Sequence, residues 1–82
     1  MVLYQMGVTR AFQQKWNEAV DLLNRALAID SGIAYAYDYR GVSYGRLDRK
    51  DRLINDLTRF LQLAPNSPEA PRARTLVQAA SL

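Results

Sequence analysis

Shifted by 34 residues, this chain lies on top of itself. Gly7 falls on Gly41, Val20 on Ile54, Leu23 on Leu57, Arg25 on Arg59, Leu27 on Leu61 and Ile29 on Leu63. A period of that length is the mark of a helix-turn-helix unit stacked on its own copies, because one such unit cannot bury its apolar face alone. The repeat therefore predicts an all-α chain, an α-solenoid of antiparallel helix-turn-helix pairs.

Helical spacing of the apolar residues divides the 82 residues into five segments. The first runs from Met1 to Gln13, with Leu3, Met6, Gly7 and Arg10 at helical intervals. In the second, Trp16 to Ile29, residues Trp16, Ala19, Val20, Leu23, Ala26 and Leu27 make one stripe. Asp30-Ser31-Gly32 ends it, with Gly32 expected to take the left-handed conformation of a helix end. The third, Ile33 to Arg46, carries Tyr37, Gly41 and Tyr44 on one face, where both tyrosines are expected in the core. Asp48 is expected to cap the fourth, which ends at Leu63. Asp21 with Arg25, and Asp48 with Arg52, are ion pairs at helical spacing. Pro65-Asn66-Ser67-Pro68 is a stop followed by a start. Ser67 is expected as the cap and Pro68 as the first residue of a fifth helix reaching Ala80, with Pro71 still in the opening turn. No alternating stretch is long enough to predict a strand.

The second copy reads Tyr37-x2-Arg40-Gly41-x2-Tyr44, then Leu53-x3-Leu57, then Pro65. The first reads Leu3-x2-Met6-Gly7-x2-Arg10, then Ala19-x3-Leu23, with Ser31 where the proline would be. This pattern resembles the tetratricopeptide repeat, whose signature is Trp-x2-Leu-Gly-x2-Tyr, then Ala-x3-Phe, then Pro. The resemblance covers residues 1 to 67 and implies a single domain: repeat one over 1–33, repeat two over 34–67 and a capping helix over 68–81. Gly7 and Gly41 let paired helices approach, since no Cβ stands between them, and Ala19 and Ala26 do the same from the other side. The chain also departs from the family. Arg40 and Arg10 replace a leucine and a tyrosine, and both are expected to bury their stems and keep their heads wet. Leu53 and Phe60 replace alanines, which should push the fourth helix outward or pack it on a neighbour.

In this family the first helix of each pair lines a concave groove for an extended or helical peptide. Transferred by position, the resemblance implies a groove of Tyr4, Val8, Phe12, Tyr35, Asp38, Tyr39, Val42 and Arg46, with Arg72 from the last helix. Tyr35, Tyr39, Val42 and Arg46 fall on one helix face. Tyrosine brings rigid area with a polar tip, and arginine a fork that matches a carboxylate. The competing reading is that these tyrosines only pack on the next pair. Chaperone-binding members hold a C-terminal carboxylate with lysines and asparagines, and those positions are Tyr4, Val8, Tyr39, Glu69 and Ala73 here. That clamp is therefore not expected.

Composition narrows the function further. The chain has no histidine and no cysteine, so the commonest general base, the commonest zinc ligand and any disulfide are missing. Eight carboxylates are scattered, and Gly41-Val42-Ser43-Tyr44-Gly45 lies mid-helix rather than in a phosphate loop or nucleophile elbow. No enzyme activity, metal or cofactor is expected. The net charge of +3, from eleven basic residues of which nine are arginine, falls short of a nucleic-acid-binding face. The charged stretch Arg46 to Arg52 reads as a solvated turn. No apolar run reaches the roughly 20 residues that cross a bilayer, and no leader-like N-terminus is present. A cytoplasmic location is the expectation.

The leading expectation is a non-enzymatic protein–protein interaction module that captures a peptide or helix of another protein. A homo-oligomer, or a place in a longer array, is the alternative, because a comfortable solenoid core takes three or more repeats. Weak nucleic-acid binding through the arginines is a minor one.

Overall fold

The computed structural model describes all 82 residues as five α-helices with no strand. They are α1 (Val2–Phe12), α2 (Trp16–Ile29), α3 (Ala34–Arg46), α4 (Lys50–Leu63) and α5 (Ala70–Ala80). Each helix packs on the one that follows it, and α1 also touches α3. None is long and apolar enough to cross a membrane.

The 34-residue register reappears in the backbone. Gln14 and Asp48 hold φ at 61° and 62°, the two non-glycine residues with positive φ. Each closes the end of a helix with the same pair of hydrogen bonds. Lys15 N–H donates to the Arg10 carbonyl at 2.9 Å and Gln14 N–H to Ala11 at 3.0 Å; Arg49 N–H donates to Tyr44 at 2.8 Å and Asp48 N–H to Gly45 at 3.1 Å. These bonds satisfy carbonyls that a helix end leaves without partners. Asp48 thus terminates α3 and does not cap α4, whose cap position is Arg49, with no side-chain capping bond.

Two other expected helix ends also differ. Gly32 has no positive φ; α2 stops because Asp30 Oδ1 accepts the Gly32 N–H at 2.9 Å, a local turn that competes with the helix. Ser67 does not cap α5. Its hydroxyl donates to the Ala64 carbonyl at 2.9 Å, Pro68 and Glu69 form a turn, and the helix starts at Ala70 with Pro71 in its first turn.

The core is two linked clusters. Leu23, Leu27 and Ala36 pack between α2 and α3, flanked by Tyr4, Ile33, Tyr37 and Tyr39. Leu53, Leu57, Phe60 and Ala73 pack among α4, α5 and the edge of α3. Each fully buried leucine or phenylalanine contributes about 1.5–3 kcal/mol over its exposed state. The two glycines of the register are where helices touch. A Cβ on Gly7 would lie 2.8 Å from Leu23 Cγ, and one on Gly41 3.1 Å from Asp56 Cβ.

Leu53 and Phe60 do not drive α4 outward. Both are buried, and the room for Leu53 comes from a further small residue: a Cβ on Gly45 would stand 2.5 Å from Leu53 Cδ1. In the first copy the matching positions are Ala11 and Ala19, so bulk has moved from α3 to α4 at this contact. Phe60 is fully covered, with its ring 5.4 Å from that of Tyr35.

Arg40 is the largest departure from expectation. Its head is mostly buried, with the side chain 19% exposed. Nε and Nη2 donate to the two oxygens of Asp56 at 2.8 and 2.7 Å, and Nη1 donates to Asn24 Oδ1 at 2.9 Å. Burial of a fork and its carboxylate together is tolerated because the geometry is bidentate. Hydrogen bonding to Asp56 holds the guanidinium charged, raising its pKa. Arg10 keeps a partly exposed head, near Gln13 and Glu18. Tyr37 and Tyr44 are only partly buried: Arg40 lies 5.6 Å over the Tyr37 ring and Arg52 5.8 Å over Tyr44. Neither Asp21–Arg25 nor Asp48–Arg52 pairs. Arg49 meets Asp51 at 3.8 Å instead, with both side chains exposed.

Candidate functional site

Tyr4, Val8 and Phe12 are spaced by four and lie on one face of α1. On α3 the same spacing aligns Tyr35, Tyr39 and, a turn on, Val42 and Arg46. The rings join the two helices. Tyr39 stands edge-on to Tyr4, with centroids 6.4 Å apart at 67°, and to Phe12 at 5.9 Å and 60°. Such edge contacts are worth about 0.5–1.5 kcal/mol beyond burial. Phe12 is 75% exposed, so this cluster opens to solvent. Val8 sits between Tyr4 and Phe12 in sequence and is partly buried.

The α3 to α5 side is held by polar pairs, each between residues 34 apart. Tyr35 Oη donates to Glu69 Oε1 at 2.7 Å, and Arg72 Nη2 donates to both oxygens of Asp38 at 2.7 and 2.9 Å. Positions one period apart thus meet between α3 and the start of α5. Asp38 itself is buried, 4% exposed, and lies beneath the surface rather than on it. Burial pushes its carboxyl above the usual range; Arg72 pulls it back without cancelling that, and Glu69 adds to the rise. Burial also raises the Tyr4 phenol, helped by Tyr39 and Asp38. Tyr35 is raised first by its hydrogen bond to Glu69.

Val42, Arg46 and Arg72 share a cleft where α3, α4 and α5 meet. It measures about 400 Å³ and is completed by Gly45, Leu53 and Leu76. Leu76 stands 34 residues after Val42, so the register marks it. Gly45 and Leu53 are seen only once their close contact is known. Trp16, which the spacing places only at the head of the α2 stripe, also reaches this side, its ring 5.7 Å beneath the Arg46 guanidinium.

The groups presented along this face are aromatic rings, phenol hydroxyls and guanidinium donors, the side chains enriched where proteins meet. No cluster of three His, Cys, Asp or Glu side chains comes together to hold a metal ion. No protein-family model matches the chain, and no curated protein matches it either. What fold and surface define is an all-helical protein of five helices with an aromatic and arginine-bearing face over α1, α3 and α5.

Proposed function

We propose that this chain is a tetratricopeptide-like solenoid, two antiparallel helix pairs and a capping helix, that binds a peptide or helix of another protein. The ligand would lie across α1, α3 and α5, touching Tyr4, Val8, Phe12, Tyr35, Tyr39, Val42, Arg46 and Arg72, with Asp38 supporting Arg72 from below. The observation that carries this reading is the open aromatic cluster: Tyr39 meets Tyr4 and Phe12 from two helices, and Phe12 is largely exposed. Aromatic area held rigid before binding costs little entropy when a ligand arrives. No chemical step is assigned to the face.

Peptides selected from a displayed random library on the purified chain test it. A Tyr39→Ala, Arg46→Ala variant that stays helical should lose at least about tenfold in affinity for them, since a hot-spot truncation costs about 2 kcal/mol or more. Undiminished binding by that variant would overturn the groove.

One observation favours the alternative of self-association. Val2 is 71% exposed and Met6 43%, and both lie on α1. Sedimentation that shifts with concentration, and returns to monomer in Val2→Ser, Met6→Ser, would assign α1 to contacts between copies.

A further inference from the structure

The cleft among α3, α4 and α5 combines an apolar floor with two cations at its mouth. Val42, Leu53 and Leu76 supply the floor, and Gly45 leaves it open because it has no side chain. At about 400 Å³ it falls within the range of small ligand pockets, roughly 300–1,000 Å³. The cations are not spent. Arg46 has no carboxylate partner and rests on Trp16, while Arg72 uses only Nη2 on Asp38 and leaves Nε and Nη1 free. Asp38 offsets one positive charge, and that of Arg46 stands uncompensated.

The 34-residue register supplies an internal comparison. The matching positions one period earlier are Val8, Ala11, Phe12, Ala19, Asp38 and Val42. There the two arginines become a phenylalanine and an aspartate, and Leu53 becomes an alanine. None of the molecule's three clefts is lined by Val8, Ala11, Phe12 or Ala19. The second copy has thus exchanged ring and acid for two cations, and opened a cleft beside them.

We infer that this cleft is a specificity subsite for an acidic–aliphatic peptide step, taking a large aliphatic side chain on its floor while Arg46 and Arg72 hold the carboxylate of the next residue. The Arg46 guanidinium, which bonds to no acceptor within the chain, offers a fork that matches a carboxylate in both charge and shape, and Arg72 adds a second cation with single free donors. The aliphatic chain displaces water from an apolar wall. Neither half is selective alone; together they demand both groups at adjacent positions. This inference rests on the groove reading and names part of its ligand.

The probes are three labelled hexapeptides, Gly-Ser-Leu-Glu-Ser-Gly, its Leu-Gln form and its Ala-Glu form, titrated by methyl and guanidinium NMR. The Leu-Glu peptide should move the Val42, Leu53 and Leu76 methyl signals and bind about tenfold tighter than either control, a factor that charge-assisted pairing readily supplies. Arg46→Gln, which leaves the Arg72–Asp38 pair intact, should erase the preference for glutamate over glutamine. Gly45→Ala should close the floor by displacing Leu53 and weaken the Leu peptides while leaving circular dichroism unchanged. Equal binding of Leu-Glu and Leu-Gln, or a preference that survives Arg46→Gln, overturns the subsite, even where library-selected peptides still bind through Tyr39. Undiminished binding of those selected peptides by the Tyr39→Ala, Arg46→Ala variant, with the Leu-Glu preference of the parent chain kept, overturns the wider groove and upholds the subsite.

Discussion

Asp38 sits almost out of solvent, with the half-exposed Arg72 as its cation, and its charge is coupled to folding. Burial raises the pKa of Asp38 above its unfolded value, so its ionised form opposes folding, and that cost fades as pH falls through the raised value. Arg72→Ala removes the one partner that lowers it and pushes it further up. The variant should lose about 1–2 kcal/mol near neutral pH, less than for a fully buried pair because the Arg72 side chain is 45% exposed. The deficit should shrink as pH is lowered from neutral to the ordinary carboxylate range, as the folded state of the variant takes up its proton before that of the parent. Urea midpoints at both ends of that span check it; a deficit that does not change with pH would mean that Arg72 acts by packing alone. Asp38→Asn keeps an acceptor without the charge and should cost less than Arg72→Ala at neutral pH.

At the scale of the element, the ends of α1 and α3 are shaped by left-handed residues that are not glycine. Gln14 and Asp48 adopt this conformation against their side chains, because the two closing hydrogen bonds of each turn over-determine it. Aspartate tolerates the left-handed region better than glutamine does. Gln14→Gly should therefore raise stability by about 0.5–1 kcal/mol, after allowing for the greater freedom of glycine in the unfolded chain. Asp48→Gly should gain less. Thermal or urea unfolding of both variants decides it, and a destabilised Gln14→Gly would show that the glutamine side chain does more than fill the turn. The glycine that the sequence does offer at a break, Gly32, needs no such conformation, since Asp30 makes the turn through its side chain.

For the whole molecule, Arg40 is the tie among three helices, from its place on α3 to Asn24 on α2 and Asp56 on α4. The register names its apolar equivalent: Met6 stands where Arg40 does, and Leu22 where Asp56 does. Arg40→Met alone strands a buried carboxylate and should cost about 2–4 kcal/mol, a large share of what so small a core supplies. The Arg40→Met, Asp56→Leu pair should recover most of it, because Met6 and Leu22 occupy the matching positions on α1 and α2 and line one cleft there. A double variant no more stable than the single one would assign the stability to the Asn24 bridge instead. Much was legible from residues alone. Period, helix count and the small contact points at Gly7 and Gly41 follow from spacing, since a helix face repeats at fixed intervals whatever it packs against. The alignment of Tyr35, Tyr39, Val42 and Arg46 on α3 is of the same kind. What spacing does not carry is the partner across a gap. The burial of Asp38, the bidentate hold of Asp56 on Arg40, the room that Gly45 makes for Leu53 and the cleft beside Arg46 each depend on which residue of another helix stands opposite. The sequence by itself thus determined the helices and their period, through local periodicity. Only the tertiary structure decided which charges are buried and where the surface opens, because both depend on distances between helices that no single helix encodes.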